Sequence, residues 1–190
     1  FACAKAGLVL APISWRLTAQ EIAGQLDLVR PALVVAECVY VRLAQDAADL
    51  ASERVAVCEL GEVGIERSAP RVAAPSAPDA VRDDDPLLLI LTSGTTGQSK
   101  AVVLTHANCH WTNESLGRVL SFSESDVVLA VMPQYHVGGW NVQPLLTLRV
   151  GGTLVLERRF EPGRALRLIQ EQRVTAMMGV PAHINVTEVR

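Results

Sequence analysis

The segment LTSGTTGQSK, Leu91 to Lys100, follows directly on the apolar run Leu87 to Leu91. Gly94 and Gly97 permit backbone conformations in which successive N–H groups point into one concavity, and such a nest binds anions. Ser93, Thr95, Thr96 and Ser99 add hydroxyl donors, and Lys100 ends the segment with a mobile point charge suited to phosphate oxygens. A Walker loop is excluded. That motif needs GxxxxGK[ST] and a helix straight after it, whereas Gln98 and Ser99 separate Gly97 from Lys100 and the next residues, Ala101 to Leu104, are strand-like. Phosphates would have to be held by the loop itself, without a helix dipole. A surface hairpin rich in Gly, Ser and Thr has the same composition, so these residues alone leave a phosphate loop and a plain turn both open.

Other groups able to carry chemistry are fewer. His106 and His110 stand four apart with Cys109 between them, but the glutamate of HExxH is missing and no third ligand is evident, which favours a helix start with ordinary histidines over zinc. Asp83 to Asp85 precede Pro86 and read as solvated loop rather than a metal site. Arg158, Arg159, Arg164, Arg167 and Arg173 alternate with Glu157, Glu161 and Glu171, the pattern of a solvated helix face. No metal site is expected.

Alternating strands and helices must position these residues. Leu8 to Ala11 reads as a buried strand, and Thr18 to Glu21 is a capping box opening a helix with Ile22, Leu26 and Val29 on one face, stopped by Pro31. Leu33 to Ala36 is a strand, Val41 to Leu50 a helix and Val55 to Leu60 a third strand, an alternation that favours parallel pairing with right-handed crossovers. PISWRL stands where a GxGxxG would follow the first strand, which excludes the dinucleotide fingerprint. From Gly61 to Pro86 the chain is rich in Pro, Ala, Ser and charge and reads as a linker or long surface loop. Beyond it come a strand, the quoted turn, a strand over Ala101 to Leu104, and a helix from Thr105 or His106. Then follow a strand over Asp126 to Met132, the loop PQYHVGG, a helix, Gly151-Gly152, a strand over Thr153 to Leu156, a helix opened by Pro162 and a strand over Thr175 to Met178. The expected organisation is α/β, with a first lobe over 1–60, a linker or loop over 61–85, and the phosphate loop with a second lobe over 86–190.

The whole chain sets the class. Its 190 residues, 49% apolar, suffice for one compact domain or two small lobes. With 17 basic against 20 acidic residues the formal charge is -3, so no general attraction to nucleic acid or anionic membrane is implied. Aromatic residues, at 4%, are too few for a base-stacking platform. Cys3, Cys38, Cys58 and Cys109 form no CxxC pair, consistent with reduced thiols in a cytoplasmic protein. Val127 to Leu148 lacks charge over a length that would span a bilayer, but Pro133, His136, Gly138, Gly139, Asn141, Gln143 and Pro144 interrupt it, which argues against a membrane span. Asn113 and Asn185 fit the glycosylation sequon, a short pattern that arises by chance. The chain opens on Phe1 in mid-pattern, as a piece of something longer would.

The order of residues says more than their composition. LILTSGTTGQSK, Leu89 to Lys100, resembles the phosphate-loop signature of the adenylate-forming superfamily, the AMP-binding enzymes that include acyl-CoA synthetases. AGLVLAPISWRLTAQEI, MPQYHVGGWN and GGTLVLERRFEPGRALRLIQEQRVTAMMGVP are similar to further family segments in the right order. Where the family commonly has proline, lysine and glycine at the loop's end, this chain has Ser99, Lys100 and Ala101, and Gln134 replaces a usually apolar residue. The resemblance implies layered sheets with helices on both faces, two βαβ-type lobes forming an incomplete part of the family's large domain. It implies that Thr92, Ser93, Gly94, Thr95, Thr96, Gly97 and Lys100 hold the phosphates of ATP, with Mg²⁺ neutralising charge and CoA as co-substrate. His136 matches the family histidine at the carboxylate end of the acid pocket, with Gly138, Gly139 and Trp140 lining it. A turn histidine satisfied by backbone is the plainer alternative. Gly179 to Pro181 resembles a segment beside that pocket. The family's adenine-binding motif, hinge aspartate region and catalytic lysine would lie past Arg190, so no catalytic residue is assigned and the chain alone is expected to be inactive. The implied function is part of an acid:CoA ligase acting on a small carboxylic acid. A noncatalytic nucleotide-binding module, a decayed remnant and an adenylation domain that does not use CoA are the alternatives.

Overall fold

The structure, a computed structural model, describes residues 2–63, 81–93, 99–181 and 183. Two compact units divide the chain, Phe1–His106 and Ala107–Arg190, with the strands on either side of the glycine-rich segment in the first. The loop expected over 61–85 falls largely on 64–80, outside the described residues.

In the first unit, α1 (Ala2–Ala6) precedes α2 (Ala19–Val29). The capping box forms as the sequence predicts: the Glu21 N–H donates to Thr18 Oγ1 at 3.3 Å, and the Thr18 N–H donates to Glu21 Oε2 at 2.8 Å. The Thr18 N–H, then its hydroxyl, hold the Glu21 carboxyl below its usual range. Arg30 takes a left-handed conformation, φ 44°, ahead of Pro31, and the helix ends. Ile22 and Leu26 bury against Ala47, whose helix α3 (Val41–Leu50) bridges β1 (Leu33–Ala36) and β2 (Ala56–Glu59). These strands pair in parallel from Leu33 opposite Ala56 to Ala36 opposite Glu59, a βαβ unit as the alternation implies.

Leu8 to Ala11 is not the buried strand expected. Leu8 and Val9 are 59% and 44% exposed, and only Leu10 bridges, its N–H to Leu87 O at 3.0 Å and its O receiving the Leu89 N–H at 2.9 Å. Pro12, without an N–H, follows directly, and no ladder extends from Leu10. That bridge joins the edge of a hairpin, β3 (Pro86–Ser93) and β4 (Ser99–Thr105), which pair antiparallel. Leu88 and Ile90 of β3 are buried, and their alternation with less buried neighbours fixes the register.

The second unit takes over in α4 (His106–Leu120) and continues through β5 (Val127–Ala130), a π-helical turn (Gly138–Val142), α5 (Gln143–Arg149), β6 (Thr153–Leu156), α6 (Pro162–Glu171) and β7 (Ala176–Met178). The strands form one parallel sheet in the order β6, β5, β7, so β5 is central and the connection from β6 crosses to its other side. Leu129 and Val131, continuing from the central strand, pack on Ala165 and Leu168 of α6. Glu161 caps α6 by accepting the Gly163 and Arg164 N–H groups at 3.0 and 2.6 Å. Arg164 in turn grips Glu157 at 2.7 and 2.8 Å and holds its carboxyl below the usual range, the interleaving of charge read from the sequence. Gly151, at φ 84°, needs the freedom of glycine to turn the chain from α5 into β6.

At the amino end of this sheet Asp126 accepts the Thr175 hydroxyl at 2.7 Å, the Ser123 N–H at 2.7 Å and the Ser123 hydroxyl at 2.9 Å. The Thr175 bond first, then Ser123, lowers its pKa below the ordinary 3.8. A carboxyl depressed in the folded state adds stability above its unfolded pKa and loses it as pH falls through the folded value. Thr175→Val is therefore expected to lower Tm at neutral pH by about 2 °C, and the gap from wild type should close in thermal melts as pH falls below the unfolded value. A gap unchanged down to acid pH would contradict the assignment.

The uncharged stretch 127–148 is divided among β5, the π-helical turn and α5, and no helix among the described residues is long and apolar enough to cross a membrane. No disulfide joins Cys3, Cys38, Cys58 and Cys109, and burial pushes the Cys109 thiol up.

Candidate functional site

Two groups of residues singled out in the sequence each occupy the end of a β structure. In the first unit the hairpin register sets Thr92 opposite Lys100 and Ser93 opposite Ser99. Directly opposed residues share a face, so the Thr92 hydroxyl and the Lys100 ammonium lie on one side of the hairpin where the strands part. Both side chains are exposed, and the Thr92 hydroxyl leans to the Lys100 backbone oxygen at 3.4 Å. Among the described residues Lys100 meets no carboxylate. Gly94, Thr95, Thr96 and Gly97 lie outside the described residues. Within Leu91–Lys100 there is no Asp or Glu, so these donors suit an anion and supply no carboxylate for a metal ion.

In the second unit the group lies beyond the carboxyl end of β5. The Pro133 carbonyl accepts the His136 N–H at 3.2 Å, and the His136 carbonyl accepts the Gly139 N–H at 3.0 Å, winding Pro133 to Gly139 into consecutive turns. The His136 side chain is exposed, with the Tyr135 ring 4.8 Å away at 55°. Gln134 folds back on its own loop, Nε2 donating to Met132 O at 3.3 Å. Gly139 is buried, and a Cβ there would overlap the Pro133 carbonyl oxygen and come within 2.7 Å of the Pro133 carbonyl carbon and 3.1 Å of Met132 O. Gly138 leaves ordinary room, a Cβ meeting Met178 Cε of β7 at 3.6 Å, so the loop from β5 leans over β7. Trp140 is half-buried, with its indole N–H buried and unpartnered among the described residues.

Sheet order explains why ligands suit this place. Chain connections leave β5 toward β6 on one side, while β7 occupies the other. In open parallel sheets the crevice at such a reversal, outside the carboxyl ends of the strands, is where small molecules bind. The loop after β5 carries His136 and the loop after β7 carries Gly179 to Pro181, so the structure brings these two sequence segments to the same reversal. Phe160, after β6, stacks on His183, after β7, with centroids 4.1 Å apart and planes at 18°.

Several residues here escaped the sequence reading. Asn113 and Asn141, each 4% exposed, are joined by a hydrogen bond of 3.3 Å. Asn113 stands in a sequon, but its buried, bonded amide is no glycan acceptor, and Asn185 lies outside the described residues. The π-helical turn opens on the glycine pair Gly138-Gly139 and had no periodic signal to reveal it. His110 packs its ring edge-on to Trp111 at 5.1 Å, Asp85 closes a turn by accepting the Arg82 N–H at 2.8 Å, and no cluster of three or more metal-ligating side chains exists among the described residues.

A parallel sheet with loops gathered over a strand reversal, preceded in the sequence by an antiparallel hairpin whose connecting segment is rich in glycine and hydroxyls, is an architecture common among small-molecule-binding α/β proteins. The chain belongs to the AMP-binding enzyme family, whose family model matches residues 1–187. It is 31% identical to a feruloyl-CoA synthase of an Amycolatopsis species over 95% of this chain and 35% of the relative, and 31% identical to the indoleacetate–CoA ligase of Aromatoleum aromaticum over 97% and 37%. The chain thus spans about a third of the length of these curated relatives. Among solved structures, it is similar to the inhibitor-bound N-terminal domain of FACL13 from Mycobacterium tuberculosis, with a TM-score of 0.86 and 27% identity over 99% of this chain and 47% of that one. ATP-bound MatB from Rhodopseudomonas palustris matches with a TM-score of 0.80 and 26% identity, over 98% and 37%.

Proposed function

We propose that this chain is the portion of a cytoplasmic, ATP-dependent acid:CoA ligase that grips the nucleotide's phosphates and one wall of the acid pocket. The carrying observation is the register that sets the Thr92 hydroxyl and the Lys100 ammonium, which meets no carboxylate among the described residues, on one face at the loop end of the hairpin. A carboxylate is a poor electrophile toward a thiol. In the proposed reaction its oxygen attacks the α-phosphorus of ATP, the bond to the bridging oxygen breaks and pyrophosphate leaves, and the thiol sulfur of CoA then displaces AMP from the acyl carbon. Thr92, Ser93, Gly94, Thr95, Thr96, Gly97 and Lys100 hold the departing β- and γ-phosphates, where preorganised donors stabilise developing charge. Mg²⁺ would arrive on the phosphates, since the loop contributes no carboxylate.

His136 presents an exposed imidazole at the sheet reversal and positions the anionic end of the acid, with Gly138, Gly139 and Trp140 beside it. His136→Ala in the full-length protein is expected to raise the dissociation constant of the acid about tenfold, one charge-assisted hydrogen bond's worth, and that of ATP far less. Isothermal titration with each ligand separates the two, and a larger effect on ATP would reject the role. Acid-dependent ATP–pyrophosphate exchange by the full-length protein, across a panel of small carboxylic acids, tests the whole reading. ATP binding without exchange for any acid would instead identify a noncatalytic nucleotide-binding module.

A further inference from the structure

The loop carrying His136 runs straight into the π-helical turn Gly138–Val142, and a side-chain hydrogen bond between Asn113 and Asn141 ties that turn to α4. Asn113 Nδ2 donates to the Cys109 carbonyl at 2.7 Å and to Asn141 Oδ1 at 3.3 Å. The first contact fixes the orientation of the amide, because the atom that close to a carbonyl oxygen must be the donor. Asn113 Oδ1 is then left buried without a hydrogen-bond partner among the described residues, and so is the indole N–H of Trp140, the residue before Asn141. Unmet buried polar groups oppose folding, and leucine, of nearly the same shape, would fill the Asn113 position in α4 without that cost. Amides kept where an apolar side chain would be more stable mark a constraint other than stability, and π-helical turns concentrate where backbone must be aimed.

We propose that the Asn113–Asn141 amide pair is a positioning device that pins the π-helical turn to α4 and so aims the His136 loop, setting affinity for the acid without touching it. This inference rests on the acid-binding reading of that loop. In the full-length protein, Asn113→Leu, Asn141→Leu and the double variant are compared with wild type. Expected are a Tm of the double variant equal to or above wild type, a KM for the acid raised about tenfold, and an unchanged KM for ATP. The double variant should be no worse than the more affected single one, since both remove the same link. A fallen Tm with unchanged KM for the acid, or single effects that simply multiply in the double variant, would overturn the proposal.

A readout independent of turnover is amide hydrogen exchange at Gly139, whose N–H donates to the His136 carbonyl. Faster exchange in the variants is expected, and unchanged exchange refutes the pin. If wild type activates no acid while exchange still accelerates in the variants, the pin stands and the ligase reading fails. Should the double variant not fold, Asn141→Ser carries the same measurements.

Discussion

Lys100→Ala in the full-length protein should lower the rate of acid-dependent pyrophosphate exchange by about a hundredfold, about 3 kcal/mol of transition-state stabilisation. The hairpin gives this prediction its sharpness. The Thr92 hydroxyl leans on the backbone oxygen of Lys100, not on its side chain, so truncation leaves that contact and the strand register in place. The ammonium is exposed and pairs with no carboxylate among the described residues, so its removal should leave Tm unchanged. A loss of rate without loss of stability assigns the charge to the phosphates. Lys100→Arg should recover part of the rate, because charge is kept while the compact ammonium becomes a planar fork. Exchange at the wild-type rate in Lys100→Ala would remove the phosphate-gripping role altogether.

What sequence could and could not reveal follows from the range of each interaction. Local rules worked where one segment carries the whole signal: the Thr18 to Glu21 capping box, α3 over Val41–Leu50, β1 over Leu33–Ala36, and Pro162 opening α6. The hairpin was also legible, since apolar strands flank a turn-rich segment. Leu8 to Ala11 misled because an apolar run announces burial only when a partner strand lies alongside, and Pro12 leaves a single bridge there. Residues of the candidate site could be named from motif order, but not the forces that aim them. Asn113 and Asn141 are 28 positions apart, and nothing in either neighbourhood announces the other. The overlap awaiting a side chain at Gly139 depends on the fold of the Pro133 turn, which no period encodes.

Gly139→Ala is expected to be the most damaging small substitution in the second unit. Glycine is not needed here for a left-handed conformation, since Gly139 is not among the residues of positive φ. It is needed for space. The Pro133 carbonyl accepts the His136 N–H, the His136 carbonyl accepts the Gly139 N–H, and these consecutive turns bring the Gly139 Cα against the Pro133 carbonyl. A methyl group there meets backbone rather than a flexible side chain, so relief requires the turn to open. Overpacking against a fixed backbone costs about 3 kcal/mol, and a shift of about 1 Å in a positioning loop reduces catalysis about a hundredfold. Either the unit loses stability, read as a lower Tm, or the loop yields and the KM for the acid climbs with ATP binding intact. Gly138→Ala separates local sterics from loss of glycine in general: its Cβ would meet Met178 Cε at an ordinary 3.6 Å, so its Tm should stay at the wild-type value. Equal Tm and equal KM for the acid in Gly139→Ala and wild type would mean that the Pro133 turn does not close on Gly139, and the described geometry of the His136 loop would fall with it.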